Sequence, residues 1–315
     1  MDLVNSLSDR LLFAVPKKGR LHQPTLDLLH GSDIQFHRHS RLDIALCLNL
    51  PIALVFLPAA DIPTFVGEGK VDLGITGADQ VAEHDAREAE ARGEVVKVQD
   101  LEFGGCKLQV QAPVKGAYRK PQDLIGKTVV TSFTNVASEY FRKLESAQDE
   151  STAGSSTATP AVLRTRIKFL SGSVEAACAL GVADGIVDLV ESGETMRVAG
   201  LEAIDTVMAS TAILIRSQKV SNQALVDLIA SRIRGVISAQ RYVLCQYNVH
   251  RNKLEIAKKT TPGQRAPTIT SLDDEGWVAV SSMVEKKKIA LTMDELERTG
   301  ATDILVLEIS NTRTS

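Results

Sequence analysis

The chain is expected to fold as α/β layers around largely parallel sheets, followed by a small separate domain of split β-α-β type. Short apolar, β-rich runs alternate with amphipathic helical stretches until about residue 240, the rhythm of strands joined by crossover helices. From residue 241 the order changes to strand, helix, strand, strand, helix, strand. Of the 315 residues, 44% are hydrophobic, enough to fill more than one core.

The strands follow in order as LLFAVP (11–16), IALVFL (52–57), VDLGITG (71–77), KLQVQAPV (107–114), KTVVTSF (127–133), RIKFL (166–170) and DGIVDLV (184–190). Helical spacing with a charged outer face marks 78–92 and 135–147, and the charges of EHDAREAEAR (83–92) read as solvated surface. Residues 44–60 are uncharged, but Asn49, Pro51 and Pro58 interrupt them, which predicts two buried segments split by a turn and no membrane span. The aperiodic Ser/Thr/Ala-rich stretch 147–160 reads as a surface loop without chemistry. A helix over 223–240 leads into the last domain. There RYVLCQYNV, PTITSL, GWVAVSSMV and DILVLEIS are strands, and the segments around KLEIAKK and TMDELERTG are helices, a ferredoxin-like order.

Composition narrows the function. Thirty-six basic against 39 acidic residues give a net charge of −3, so no global field recruits nucleic acid or an anionic membrane, and an anionic ligand must be held locally. Cys47, Cys106, Cys178 and Cys245 form no C-x-x-C pair, which predicts four free thiols in a reducing, cytoplasmic setting. The N-terminal MDLVNSLSDR is charged and the apolar run after it is short, so no export signal is expected. His37 and His39 have no third metal ligand near them and read as surface residues.

Asp184 and Asp188 are woven into an apolar strand that breaks into Glu-Ser-Gly-Glu-Thr. Ligands of α/β sheets sit beyond the carboxyl ends of strands. A Ser-Gly-x-Thr turn offers close backbone N–H groups and two hydroxyls there, so Ser192, Gly193 and Thr195 suit a terminal phosphate. Ser173 is placed to cap a short helix that ends at Gly181 and carries Glu175. Glu175 and Asp188 are acceptors for a diol or a hydrated Mg²⁺, so a sugar phosphate would occupy both halves. In PKKGRL (16–21), Lys17, Lys18 and Arg20 surround Gly19 at a strand-to-helix turn, a polyphosphate contact. Gly74 and Gly77 precede a helix start and offer amides to an anion. Two familiar nucleotide motifs fail: Asp72 replaces the third glycine after Gly67 and Gly69, and Pro121 replaces the first glycine before Gly126-Lys127-Thr128.

The pattern E-x5-G-x-A-D-x-I-x-D-x-x-x-S-G-x-T-M, from Glu175 to Met196, resembles the phosphoribosyl-pyrophosphate signature of the ATP phosphoribosyltransferases. That resemblance adds Asp184, Glu191 and Glu194 to the phosphoribosyl pyrophosphate set. Lys17 to Leu21 is similar to the family's K-x-G-R-L, and Asp72 to Asp79 to its D-L-G-I-x-G-x-D. These imply an ATP side made of Lys17, Gly19, Arg20, Asp72, Gly77 and Asp79. Many bacterial members carry an arginine before D-I-P that VFLPAADIP (55–63) lacks, and Arg41 or Lys17 is the expected substitute. FGGCKL (103–108) matches as a crossing between lobes. TPGQRAPT (261–268), DDEGWVAV (273–280) and GATDILVLEIS (300–310) resemble the regulatory part of long-form, fungal-type members.

The resemblance implies two periplasmic-binding-protein-like lobes, 1–104 with 205–240 and 105–204, and a regulatory domain, 241–315. It further implies transfer of a 5-phosphoribosyl group to N1 of ATP, the first step of L-histidine biosynthesis, with Lys17, Arg20, Glu175 and Asp188 catalytic. Mg²⁺ would be held through substrate phosphates with Glu175 and Asp188. Histidine would inhibit at Asn248, Thr268, Met283 and Asp303, in a homo-oligomer, a hexamer built from dimers. The alternative is a non-catalytic bilobal sensor of a small anion, which would have no need of the whole Glu175 to Thr195 constellation.

Overall fold

The structure, a computed structural model, describes residues 7–38, 42–87, 95–152 and 162–313. Its first elements are β1 (Leu11–Pro16), α1 (His22–Gly31), β2 (Ile44–Leu46), β3 (Ile52–Leu57), α2 (Ile62–Gly67), β4 (Leu73–Gly77), α3 (Ala78–Arg87) and β5 (Val95–Asp100). After a crossing come β6 (Cys106–Pro113), β7 (Thr128–Thr131), α4 (Thr134–Thr152), β8 (Arg166–Phe169), α5 (Ala176–Ala179), β9 (Gly185–Val190), α6 (Glu194–Val198) and β10 (Leu201–Ser210). The chain closes with β11 (Ala212–Ser217), α7 (Gln223–Arg241), β12 (Tyr242–His250), α8 (Leu254–Thr260), β13 (Thr268–Ser271), β14 (Trp277–Glu285), α9 (Ile289–Thr299) and β15 (Thr302–Glu308).

The first sheet has six strands in the order β2-β3-β1-β4-β11-β5, and the second has five in the order β10-β6-β9-β7-β8. Both are mixed, where the alternation predicted largely parallel pairing. β1 runs parallel to β3 and β4, and β7 parallel to β8 and β9. β11 is antiparallel to β4 and β5, and β6 to β9 and β10. The reason is connectivity: β6 and β11 enter by direct crossings between the sheets, and strands reached without a crossover helix need not be parallel. The outgoing crossing, 101–105, contains the expected FGG segment. The return is at Thr211, beyond the expected 205, because β10 stays paired with β6 until Ser210 meets Cys106. β10 was illegible in sequence because bulges break its alternation between Ala203 and Asp205 and between Thr206 and Met208.

Residues 44–60 form β2 and β3 as two antiparallel segments around a turn. Among the described residues no helix is long and apolar enough to cross a membrane. α4 runs to Thr152, so the stretch read as a loop begins as helix. Glu145 on α4 accepts from the Arg164 and Thr165 amides, both at 2.9 Å, and Arg164 pairs with Asp149 at 3.0 Å, which anchors that helical extension. The remainder of that loop, the end of the expected 78–92 helix, and His39 and Arg41 lie outside the described residues.

A matched device starts a strand in each sheet. The Asp72 amide donates to the Leu12 carbonyl at 2.9 Å while the Leu12 amide donates to the Asp72 carboxylate at 2.9 Å. The Asp184 amide donates to the Thr128 carbonyl, and the Thr128 amide returns a bond to the Asp184 carboxylate, again both 2.9 Å. Each aspartate thus clips the start of its strand to the start of a parallel neighbour.

Contacts divide the chain into Met1–Leu26 with Phe36–Gln223, and Asp27–Gln35 with Ala224–Ser315. α7 therefore groups with the C-terminal unit, where the sequence had put 205–240 with the first lobe. Arg232 on α7 donates to the Asp33 carbonyl at 3.0 Å, which holds 27–35 in the same unit. The C-terminal sheet, ordered β13-β14-β12-β15, buries Val243, Cys245, Tyr247 and Val249 with Ala257 of α8 and Leu296 of α9. The alternate residues of β12 and β14 are only half-buried, so one sheet face is left open.

Candidate active site

β9 ends at Val190, and the chain turns at Gly193, whose φ of 75° is costly for any residue with a Cβ. Beyond the strand end the turn opens onto a cavity of about 390 Å³ lined by Glu175, Asp188, Glu191, Ser192, Gly193 and Thr195. Glu194 lines it too. The hydroxyls of the turn and both carboxylates thus share one space. Glu175 itself holds the N-cap position of α5, and Ser173, expected as the cap, takes a positive φ of 47°.

Burial pushes the Asp188 carboxyl up from its ordinary range, and the Glu175 carboxylate adds to the rise; the Leu189 amide, 2.8 Å away, opposes it. Neither acid forms an ion pair among the described residues. Asp184 is different. It sits at the start of β9, outside the cavity, where the Thr128 amide holds its carboxyl below the usual range and the Tyr118 hydroxyl, at 2.9 Å, assists.

Two residues of this site gave no sequence signal. Gln111 of β6 lines the cavity from the neighbouring strand, a pairing visible only once β6 lies against β9. Arg197 braces the turn, its Nε donating to the Gly193 carbonyl at 3.2 Å and its Nη2 to the Ser192 carbonyl at 3.5 Å.

The K-x-G-R-L turn faces this loop from the first sheet. Gly19 takes a φ of 83°, and Lys17, half-exposed, pairs with Asp43 at 2.6 Å. Arg20 donates to the Gly104 carbonyl in the crossing and to Asp79 at 3.1 Å, and its Nε lies 3.9 Å from Glu191 of the phosphate-loop candidate. Asp79 is fully buried, bonded to the Ser210 hydroxyl and to Gln80 at 2.9 Å. It orients Arg20 and is not open to a nucleotide.

Gly77 has a steric role: a Cβ there would overlap the Asp79 carboxylate and crowd Arg20. Gly74 similarly gives room to Ile62. Asp72 lies at the opposite edge of β4, its carboxylate taken by the Leu12 and Ser221 amides. The D-L-G-I-x-G-x-D segment therefore builds the scaffold behind Arg20, and the structure does not bring Asp72 to the site.

In the C-terminal unit Asn248 donates to Asp303 at 2.9 Å, with Asp303 at a positive φ of 51°. Thr268 pairs in register with Ser281, on the open side of the sheet with Asn248 and Met283. Met283 lines a cavity of about 690 Å³ with Tyr242, Lys259, Gln264 and Thr292.

The ATP phosphoribosyltransferase profile matches residues 58–235, and that of the HisG C-terminal domain matches 239–311. A Yarrowia lipolytica protein named ATP phosphoribosyltransferase is 62% identical over 99% of this chain and 100% of its own length. The chain belongs to the ATP phosphoribosyltransferase family. The Saccharomyces cerevisiae ATP phosphoribosyltransferase is 59% identical over 99% of the chain and 100% of its own length. A solved Thermotoga maritima ATP phosphoribosyl transferase complex aligns with a TM-score of 0.56 and 23% identity, over 72% of this chain and 98% of that one, and shares the fold. The ATP phosphoribosyltransferase match contains the whole Glu175 to Thr195 cavity, and the second match contains the four-stranded sheet. Together they make the chain a long-form, fungal-type member and a pentosyltransferase.

Proposed function

We propose that the chain transfers the 5-phosphoribosyl group of phosphoribosyl pyrophosphate to N1 of the ATP adenine, giving phosphoribosyl-ATP and pyrophosphate at the entry to L-histidine biosynthesis. The observation that carries this reading is the single cavity shared by Glu175, Asp188 and the Ser192 to Thr195 turn. The two hydroxyls and the turn's backbone amides take the 5-phosphate, which fixes the ribose so that its hydroxyls face Glu175 and Asp188. Adenine N1 already has a free lone pair at neutral pH, so the site requires no general base. The barrier lies in parting pyrophosphate from the anomeric carbon, where positive charge develops on the ribose; two half-buried carboxylates, fixed in place, stabilise that charge better than water does. Arg20, held by Asp79 and Gly104, and Lys17 face the polyphosphates. Holding two polyanions in line itself lowers the barrier by several kcal/mol, on the order of the gain from pre-paid orientation.

Mg²⁺ fits the donor set. Asp188 and Glu175 are two carboxyl groups that line one cavity without an ion-pair partner among the described residues, where no cluster of three His, Cys, Asp or Glu offers an all-protein cage. Glu175 and Asp188 would hold the ion together with substrate phosphates and water, and it would supply positive charge to offset that of the leaving pyrophosphate. The C-terminal domain takes histidine on the open sheet face that carries Asn248, Thr268, Met283 and Asp303. It acts by favouring one arrangement of the lobes, because a ligand shifts only states that it binds unequally. The enzyme works in the cytoplasm as a hexamer built from dimers.

The test is a spectral assay of ATP, phosphoribosyl pyrophosphate and Mg²⁺, with and without histidine. The expected result is pyrophosphate release with a changed ultraviolet spectrum of the N1-substituted adenine, suppressed by histidine and less so in Asn248→Ala. Binding of phosphoribosyl pyrophosphate without turnover would favour the bilobal sensor.

A further inference from the structure

The charges of 83–92 read as solvated surface, yet Glu83 is spent on a different element. Its carboxylate accepts the Asn135 amide at 2.9 Å, the Val136 amide at 2.9 Å, the Asn135 side chain at 2.8 Å and the Thr134 hydroxyl at 3.4 Å. These are groups at the first turn of α4, a helix of 19 residues. α4 has no cap of its own, because the residue before it is Phe133, whose side chain cannot accept a hydrogen bond. The carboxylate therefore serves both the orphan amides and the positive end of the helix dipole.

The two partners belong to different sheets. α3 springs directly from the carboxyl end of β4 in the six-stranded sheet, and α4 from the carboxyl end of β7 in the five-stranded sheet. β7 runs parallel and adjacent to β9, with Thr131 level with Val187, so the α4 start lies on the same sheet edge as the 191–195 turn. Only the crossings at 101–105 and 211 join the sheets covalently. Asp79 and Glu83 are one helical turn apart on α3, so the face that orients Arg20 is also the face that reaches α4.

We infer that Glu83 is a positioning residue that latches the two sheets at a fixed separation, so that the Arg20 turn and the 191–195 turn hold their two substrates at reacting distance. The inference rests on the transferase reading for its kinetic consequence only; the latch itself is a statement about distance. Glu83→Gln removes the charge and one acceptor, so one of the two amides loses its partner. Spin labels at Lys70→Cys and Lys168→Cys, exposed positions on the two sheets' lobes, report the separation in a Cys178→Ser background.

In Glu83→Gln the label distance is expected to lengthen and broaden. The kcat/KM for both ATP and phosphoribosyl pyrophosphate should fall roughly tenfold, the equivalent of one charge-assisted hydrogen bond, with KM carrying more of the change than kcat. The double variant Glu83→Gln/Asn135→Asp separates the latch from a simple helix cap. Asp at 135 supplies α4 with its own anion and should restore the thermal midpoint, while the separation and kcat/KM stay altered. An unchanged label distance in Glu83→Gln, or full recovery of distance and kcat/KM in the double variant, would overturn the inference. If the unaltered protein shows no turnover, the transferase reading fails, and the label distances still decide the latch.

Discussion

Asp184 and Asp188 lie on the same short stretch, yet the two edges of the sheet give them opposite chemistry. At the start of β9, Asp184 is saturated by the Thr128 amide and the Tyr118 hydroxyl and its carboxyl is held low. Toward the strand end, Asp188 has the Leu189 amide, a burial cost and a second carboxylate for company, and its carboxyl is pushed up. The first sheet repeats the contrast, with Asp72 clipped at one edge of β4 and Arg20 and Asp79 assembled beyond the other. A carboxylate whose acceptor sites are filled by the backbone is holding the fold. One that is half-buried and short of donors is waiting for a ligand.

Several substitutions would break or sharpen that contrast. Asp188→Asn should lower turnover by about 10² to 10³-fold, the range for losing one group that stabilises developing charge, yet raise the thermal midpoint at neutral pH. The sign follows from linkage. With its pKa raised in the folded state, Asp188 is unfavourable to stability once the pH exceeds that raised value. It costs nothing below the unfolded value of about 3.9, so the stabilisation by Asn vanishes in acid.

Gly77→Ala forces a methyl into the Asp79 carboxylate and should cost about 1–3 kcal/mol, the usual price of overpacking, with activity falling as Arg20 shifts. Asp184→Asn gives the reverse of Asp188→Asn: turnover is retained and stability drops by about 1–2 kcal/mol for the weakened charge-assisted bonds. Because the folded pKa is depressed, that loss is full above the unfolded carboxylate value and disappears as pH falls through the folded one. The smallest effect is expected for Lys17→Ala. Its pair with Asp43 is exposed, so calorimetry should find the thermal midpoint unchanged, while the KM for ATP rises.

The phosphate turn was legible because its message is local: a strand end, a glycine at positive φ and hydroxyls at fixed spacing are all written within a few residues. The same holds for the C-terminal domain, whose two clean β alternations in β12 and β14 survive in the structure. What sequence could not supply depends on distant partners. Asp72 and Asp184 carry the residue type of a ligand, but whether a carboxylate is spent on Leu12 or Thr128 is set by sheet register. Gly77 suits an anion site by sequence and proves to be space for the pair that buried Asp79 forms with partly buried Arg20 across most of the first lobe. Glu83 looked like surface because the cap missing from α4 lies far along the chain.

The central claim concerns where the phosphorylated sugar sits, and a crystal structure with phosphoribosyl pyrophosphate tests it most directly. The 5-phosphate should lie within hydrogen-bond distance of the Ser192 and Thr195 hydroxyls, with the ribose hydroxyls toward Glu175 and Asp188. A sugar phosphate bound away from the Val190 strand end, with Asp188 left unengaged, would contradict the account.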